Sequence, residues 1–471
     1  MTVTGGQGVR GTSIPGLVVV DLTVHADARG WFKENWQRAR MTAAGLPDFG
    51  PVQHSVAHNT AVGTTRGIHA EPWDKFVSVV HGRAFGAWVD LREGPTFGTV
   101  HTEVLDPATA VFVPRGVGNS YQTLEAETVY SYLVNDHWSP HAEYTMLNLA
   151  DETVAIDWPI PLSQAVVSEK DLTHPRLADV TPVAPPATLV LGADGQVGRA
   201  LLQVLPGAQG VTRAELDLAV PGAVEGFDFT GVGTVVNAAA YTAVDAAQTV
   251  EGRAVAWATN ATGVAALARA ATRYRFTLVH YSSDYVFDGT AGAYDEDAPL
   301  APLGVYGQSK AAGDLAVVAT PRHYVIRTSW VVGDGRNFVA TMAALADQGR
   351  PVTVVDDQVG RLSFATDLGA GTLHLLTTGA PYGTYNLTGS GEPASWADLA
   401  RAVYTSRGAD PALVTPTTTD AWAAEKPGPV APRPPRSVLS LDKITATGFT
   451  PTDQHRGLAT YLRSFPPGTG A

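Results

Sequence analysis

ATLVLGADGQVGRALLQVL, residues 187–205, joins a short apolar run to a glycine-rich turn and then to an amphipathic run. The first part reads as a buried strand and the last as a helix, with Gly192, Gly195 and Gly198 at the turn and the helix start. Glycines at these places let the backbone approach a pyrophosphate seated on the helix N-terminal dipole. A tight strand-to-helix turn without a ligand would use the same glycines, so the reading depends on what surrounds it. Downstream, GTVVNAAA (233–240), FTLVHYSS (276–283) and HYVIRTSWVV (323–332) each read as a further buried strand. The alanine-rich stretch 252–274 reads as one long helix between two of them. Strands alternating with helices of this length predict parallel βαβ units and a doubly wound α/β sheet. The tail, 381–471, is richer in Pro, Thr and Gly and is expected to form a smaller substrate lobe.

Upstream the pattern changes. LTHPRLADVTPVAPPA (172–187) carries four prolines and no apolar periodicity, so it marks a seam. Before it, LVVVDLTVH (17–25), KFVSVVHGRAFGAWVDLR (75–92), VHTEVL (100–105), AVFVPRG (110–116) and TVYSYLV (128–134) read as short strands with turn residues between them. That pattern predicts an all-β barrel or jelly roll. The expected division is 1–175 for the barrel, 176–187 for a Pro-rich linker and 188–471 for a nucleotide-binding domain.

Composition narrows the function. The 471 residues are 45% hydrophobic and 16% charged, with a formal net charge of −13 and no cysteine. A folded chain of two or three units is expected. Without a basic run, no nucleic-acid or anionic-membrane surface is expected. Absent cysteine excludes a disulfide frame, a thiolate metal site and a cysteine nucleophile. MTVTGGQGVRGTSIPG lacks a charged-then-apolar signal pattern, and a cytoplasmic location is the expectation. Only six of the 32 basic residues are lysine, which draws attention to each lysine as a compact, titratable ammonium.

One of the six lies in VYGQSK, where Tyr306 and Lys310 stand four apart and share a helix face. A lysine beside a tyrosine favours the phenolate, so the phenol can exchange a proton near neutrality. Ser283, at a strand end in HYSSDYVFDG (280–289), offers a hydroxyl to hold a carbonyl oxygen. With the glycine turn, these residues point to hydride transfer at a carbonyl. At GADGQVG, VVNAAAYTAVDAAQ (235–248), HYSSDYVFDG, PLGVYGQSK, IRTSWVVGDGRNF (326–338), DDQVG (356–360) and RPPRS (433–437) the sequence resembles the dTDP-4-dehydrorhamnose reductases. These belong to the extended short-chain dehydrogenase/reductase superfamily with its Rossmann sheet. The resemblance implies Tyr306 as proton donor. Lys310 would orient the nicotinamide ribose and lower the tyrosine pKa, and Ser283 would hold the carbonyl. Gly192, Gly195, Gln196, Val197, Gly198, Arg213, Asp217, Ala238 and Ala239, with Tyr306 and Lys310, would line the NADPH or NADH site. Arg213 leans the choice toward NADPH by reaching a 2′-phosphate. Trp330, Asn337 and Arg433 would shape the sugar-nucleotide site. Ala200 stands where some members carry a glutamate for a Mg²⁺ bridge, and no metal is expected.

In the first half, TTRGIHAEPWDKFVSVVHG (64–82) sets Arg66, His69 and Lys75 beside a strand, without the paired histidines of a metal barrel. A histidine base with cationic neighbours suits removal of a proton next to a carbonyl. DARGWFKENW (27–36), TRGIH (65–69), DKFVSVVHG, VDLREGPTFG (89–98), VPRG (113–116), TVYSYLVNDHWSP (128–140), IDWP (156–159) and SEKD (168–171) resemble the dTDP-4-dehydrorhamnose 3,5-epimerases, cupin-like jelly rolls acting without metal. That resemblance implies His69 as the base at C3 and C5, with Asp171 holding its tautomer. Tyr132 would reprotonate the opposite face, and Lys75 and Lys170 would steady the enolate. Arg29, Glu34, Gln53, Arg66 and Asn119 would contact the substrate. Asn119 replaces the family's usual histidine, and Gly86 its aspartate.

Together the halves imply two consecutive steps on a dTDP-sugar, in a homodimer through the jelly-roll half. Three other readings stay open from the sequence. The barrel could be a non-catalytic binding or dimerisation module, the chain could serve a related dTDP-6-deoxysugar route, or it could be a regulatory subunit.

Overall fold

In a computed structural model, residues 8–138, 142 and 144–465 are described. The first seven residues, part of the N-terminal segment read for a signal pattern, and Ser139–Pro140 of the 128–140 string lie outside the described residues. The chain divides into two compact units, Met1–Pro185 and Pro186–Ala471.

The first unit is built from two largely antiparallel sheets. Its strands are β1 (Val9–Gly11), β2 (Val18–Asp21), β3 (Val24–Asp27), β4 (Gly30–Lys33), β5 (Gln53–Asn59), β6 (Thr64–Ala70) and β7 (Lys75–His81). They continue with β8 (Ala84–Asp90), β9 (Val100–Leu105), β10 (Thr109–Val113), β11 (Val117–Thr123), β12 (Thr128–Val134), β13 (Thr145–Met146) and β14 (Val166–Val167). One sheet runs β1-β2-β10-β7-β12-β5 and the other β13-β6-β11-β8-β9, with β14 pairing parallel to β6. β3 and β4 form a separate hairpin. The 75–92 stretch passes from one sheet to the other, β7 to β8, through Gly82 at φ +80°; a Cβ there would lie 2.5 Å from the Thr128 hydroxyl. Alternate residues of the two sheets meet in a core of Val77, Val79, Trp88, Val111, Tyr121 and Tyr130. Each fully buried valine there contributes about 1.5–3 kcal/mol.

The Pro-rich stretch read as a linker is largely folded. Leu177 and Val180 are buried in the first unit's core, and Val183 bridges Arg92. Proline interrupted the periodicity without removing the apolar anchors.

The second unit holds a six-stranded parallel sheet. Its strands are β15 (Ala187–Leu191), β16 (Gln209–Val211), β17 (Val232–Asn237), β18 (Thr277–Ser283), β19 (His323–Thr328) and the strand Gly383–Asn386. They run in the order β16-β15-β17-β18-β19 followed by Gly383–Asn386. Both faces are covered, which explains the continuous apolar strands. Leu189, Leu191, Val235 and Leu278 pack on one face with Val264 and Leu267 of the helix Val264–Tyr274. Val190, Val236 and Val279 pack on the other with Leu201, Leu368 and Leu375. The order reverses between β16 and β17 around β15, so a crevice opens at the carboxyl end of β15.

Three expectations need correction. The 252–274 helix is two helices, Val250–Trp257 and Val264–Tyr274, joined through a π turn at Ala258–Gly263. That turn lets Asn260 face inward, where it accepts from Tyr241 N–H and donates to the Ser309 hydroxyl at 3.1 Å. The 323–332 strand stops at Thr328, because Trp330 sits at φ +44° and breaks the pleat. The smaller lobe is not the tail alone. Its core joins Val339 and Met342 to Leu399, Tyr404 and Leu458, and Gly383–Asn386 between them belongs to the main sheet.

Candidate active sites

In the first unit the strand β6 carries His69, and the short helix Glu169–Leu172 carries Asp171. Ser168 caps that helix by accepting from the Asp171 N–H at 3.1 Å, which fixes where the carboxylate lies. His69 Nε2 meets Asp171 Oδ1 at 3.1 Å. An ionised carboxylate only accepts, so Nε2 carries the proton and Nδ1 keeps its lone pair. Burial pulls the His69 pKa below the ordinary histidine value, although Asp171 opposes it. The imidazole is therefore neutral at pH 7 and free to act as a base.

Lys75, on β7, is buried and pairs with Glu71 at 2.8 Å, and its ammonium lies 5.4 Å from the centre of the Tyr132 ring. Sequence reasoning missed Glu71, since its value lies in pairing with a buried lysine four residues on. It also missed His174, buried beside His69 with ring centres 5.4 Å apart. His69, Asp171 and His174 each offer a ligand atom within 4.8 Å of the others. Arg66 donates to Asn59 Oδ1 at 3.2 Å, as does the Tyr121 hydroxyl.

Other candidates do not join this cluster. Lys170 is exposed on the short helix, next to Asp171 but turned to solvent. Arg29 is exposed and pairs with Asp27 on its own hairpin, while Glu34 pairs with Arg40 at 3.2 Å. Gln53 Oε1 accepts from the Trp138 N–H at 3.1 Å. Asn119 Oδ1 accepts from Trp88 Nε1 at 2.9 Å and from the Tyr130 hydroxyl at 3.1 Å. Gly86 follows from the same tryptophan, because a Cβ there would stand 2.3 Å from the Trp88 ring. Gly86, Trp88 and Asn119 are thus one packing solution.

In the second unit the glycine turn has the geometry its sequence predicts. Gly192 is at φ +72°, and a Cβ on it would meet the Ala239 backbone N at 2.8 Å. A Cβ on Gly198 would stand 2.1 Å from the Gly192 carbonyl, so only glycine lets this helix close on the turn. Gly195 caps the helix Gln196–Val204 without a side-chain bond, leaving its first N–H groups for a ligand. The buried Gln196 Oε1 has no partner. Arg213, just past β16, is exposed and pairs with Asp217 at 3.3 Å. The turn, its free N–H groups and the nearby arginine fit a dinucleotide.

A cleft of about 280 Å³ is lined by Val197, Ala238, Ser283, Tyr306, Lys310 and Trp330, among others. Ser283 ends β18, accepts from the Tyr285 N–H at 3.1 Å and donates to Asp284 at 3.0 Å. Tyr306 and Lys310 lie on one helix, Val305–Val317, which Asn260 anchors through Ser309. Burial pushes the Tyr306 phenol up to about 12, with Ser283 pulling the other way. Lys310, one turn along the helix, donates to the Tyr281 carbonyl. Asp284, which sequence reasoning passed over, is buried and pushed up to about 7. Its signal was adjacency to Ser283 alone.

Trp330 stacks on Trp396 at 3.7 Å and forms a flat wall of the cleft. Arg433 pairs with Asp245 at 2.9 Å near Tyr285, whose ring meets Tyr306 edge-on at 5.9 Å. Asn337 corrects an expectation. Its Oδ1 caps the helix Phe338–Asp347, and its Nδ2 donates to the Gly333 carbonyl and the Tyr461 hydroxyl, so the amide is committed to the protein. Among the described residues, no helix is long and apolar enough to cross a membrane.

Residues 187–466 match the family described as RmlD substrate binding domain, and residues 11–179 match the family described as dTDP-4-dehydrorhamnose 3,5-epimerase. The first half is similar to "Protein RmlC homolog" of Streptococcus pyogenes, 47% identical over 36% of this chain and 90% of that protein. The second is similar to the dTDP-4-dehydrorhamnose reductase of Mycobacterium tuberculosis, 39% identical over 58% of this chain and 91% of that one. It is also similar to a dTDP-4-dehydrorhamnose reductase of Bacillus anthracis solved in complex with NADP. That match is 29% identical with a TM-score of 0.54, covering 59% of this chain and 99% of that one. The chain therefore belongs to two enzyme families at once, the dTDP-4-dehydrorhamnose 3,5-epimerases through its first unit and the dTDP-4-dehydrorhamnose reductases through its second.

Proposed function

We propose that the chain performs two consecutive steps of dTDP-L-rhamnose formation, 3,5-epimerisation of dTDP-4-dehydro-6-deoxy-D-glucose and then reduction at C4. The observation that carries this reading is a neutral His69–Asp171 pair in one unit and Ser283, Tyr306 and Lys310 around one cleft in the other. We read the first unit as a jelly roll and the second as a Rossmann domain.

In the first unit His69 Nδ1 takes the proton from C3, and then from C5, each beside the C4 ketone. The electron pair moves onto the ketone oxygen as an enolate, steadied by Lys75. Tyr132 returns a proton to the opposite face of the ring carbon, inverting it, and proton exchange with solvent then restores the neutral His69 and the Tyr132 phenol before C5 is addressed. Asp171 holds the Nε2–H and steadies the imidazolium while it lasts.

In the second unit Gly192, Gly195, Gly198, Gln196, Val197, Ala238 and Ala239 would hold the dinucleotide, with Lys310 toward its ribose and Arg213 toward a 2′-phosphate. NADPH, when bound, supplies the hydride that reaches C4. Ser283 holds the ketone oxygen, and Tyr306 gives it a proton as the C–H bond forms. Arg213→Ala should raise the KM for NADPH and leave that for NADH unchanged. An equal change for both would remove the arginine from the cofactor site.

We place the subunit contact of a homodimer on the first unit. Trp31 and Phe32 are exposed on the β3–β4 hairpin, and Val56 is exposed on the edge strand β5.

Complementation tests the two-step reading. A His69→Ala chain and a Tyr306→Phe chain should each fail to convert the 4-keto substrate to dTDP-L-rhamnose. Mixed together with NADPH, they should form it, because the ketone diffuses between them. A D-configured product from the mixture would overturn the reading.

A further inference from the structure

Beneath the Tyr306/Lys310 pair lies a fully buried histidine that the mechanism above leaves unused. His280, on β18, sits between Asn237 of β17 and Lys310 of the helix Val305–Val317. The backbone fixes which way Asn237 points. The Ala239 N–H donates to Asn237 Oδ1 at 3.1 Å, and a backbone N–H can only donate, so the oxygen must stand at that end. The amide NH₂ therefore faces the ring and donates to His280 Nδ1 at 3.1 Å. Nδ1 keeps its lone pair, and the single proton of a neutral imidazole must lie on Nε2. A doubly protonated ring would set two donors against each other in a buried place.

Nε2 lies 3.4 Å from Lys310 Nζ. An N–H is thus aimed at the lysine nitrogen. An ammonium has no lone pair to receive it, whereas a neutral amine does. The remaining groups around the lysine are accounted for. The Tyr281 carbonyl accepts from Nζ in either state. Asp314, one turn along the helix, favours the ammonium, but it also binds Arg327 at 3.1 Å. Tyr306 stands one turn back, with Asp284 beyond it. Burial, opposed by Asp314, pulls Lys310 down to about 8. Burial and the lysine charge hold His280 well below the ordinary histidine range.

We infer that His280 is a positioning residue of the reductase site, which with Asn237 presents Nε2–H to Lys310 and stabilises that lysine as a neutral amine. The inference rests on the reading that Tyr306 gives its proton to the C4 oxygen. The phenolate left behind needs a proton back. Lys310 can supply one, becoming the amine that His280 receives by hydrogen bonding, and solvent then restores the ammonium. Each transfer moves one proton and no electrons.

The test uses the full chain, without cofactor or substrate, labelled with ¹⁵N-histidine and with ¹³Cε-lysine. Six lysines give a short spectrum, in which Lys310 is identified by its loss in Lys310→Met. The expected result is a His280 ring that stays neutral from pH 6 to 8 with its proton on Nε2, and a Lys310 midpoint near 8. In His280→Gln, whose amide can turn an oxygen toward the ammonium, the midpoint should rise by about one pH unit. The alkaline limb of the reduction rate should move with it, at unchanged KM for cofactor. A proton on Nδ1, a charged ring at pH 7, or a midpoint unmoved in the variant would each overturn the inference. The tautomer is read in the unaltered protein, so the proposal stays testable if the variant does not fold. Absence of reductase turnover would count against the functional reading alone, because these signals need none.

Discussion

His69 and Tyr306, the two proton-transfer groups of the proposed mechanism, both stand near a lysine, yet their surroundings act in opposite directions. Burial lowers the pKa of the imidazole and so leaves it in the form that takes a proton. Burial raises the pKa of the phenol to about 12 and so holds it in the form that gives one. The same physical term, loss of solvation for the charged state, therefore prepares a base in one unit and an acid in the other. The lysines differ as well. Lys75 is neutralised by Glu71 at 2.8 Å, whereas Lys310 sits among a carbonyl, an imidazole N–H and a shared aspartate. The first arrangement is complete within the chain. The second lines the cleft in which we propose the cofactor binds.

That contrast can be broken most sharply at the two groups themselves. His69→Ala should slow deuterium wash-in at C3 and C5 by roughly 10²–10⁴-fold, followed by mass spectrometry of the 4-keto substrate in D₂O. Cofactor binding should be unchanged in that variant, because no residue of the glycine turn is touched. Tyr306→Phe should slow NADPH oxidation by roughly 10²-fold or more while leaving wash-in intact. Wash-in falling with the reductase would show that the sites depend on each other.

Gly198→Ala probes the cofactor side through stability. Its Cβ would meet the Gly192 carbonyl at 2.1 Å, so the helix must move off the turn. A loss of about 1–3 kcal/mol is expected in the second unit, read as a lower melting transition. The first unit's transition should not shift. The smallest effect concerns pH. The folded pKa of His69 lies below 6.5, so wash-in should be level near pH 8 and reach half its plateau only below pH 6.5. A midpoint between pH 7 and 8 would assign the base to another group.

Much of this was legible in the sequence because it is local. The glycine turn, the Tyr306/Lys310 spacing and the apolar strands of the parallel sheet each lie within a few residues, and their geometry follows from helix and strand periods. What escaped depends on distant partners. Asn337 has the right residue type for a sugar contact, but Tyr461 and a helix N-terminus claim its amide. Asn119 and Gly86 read as losses relative to the family, and the reason is Trp88, which fills the space between them. The break at Trp330 is invisible in an apolar run, since β-propensity carries no sign of a positive φ. Glu71 and Asp284 gain meaning only from burial. His280 is the clearest case, because its tautomer is set by an asparagine 43 residues away and that asparagine by a backbone N–H.

The central claim is that one chain inverts two carbons and then reduces a third. The most direct measurement gives the full chain dTDP-4-dehydro-6-deoxy-D-glucose and NADPH in D₂O and locates the deuterium in the product by NMR. The account predicts dTDP-L-rhamnose with deuterium at C3 and C5 and protium at C4, the last delivered from the cofactor. A reduced sugar carrying protium at C3 and C5 would contradict it, because the ketone would have been reduced without passing through the His69 site.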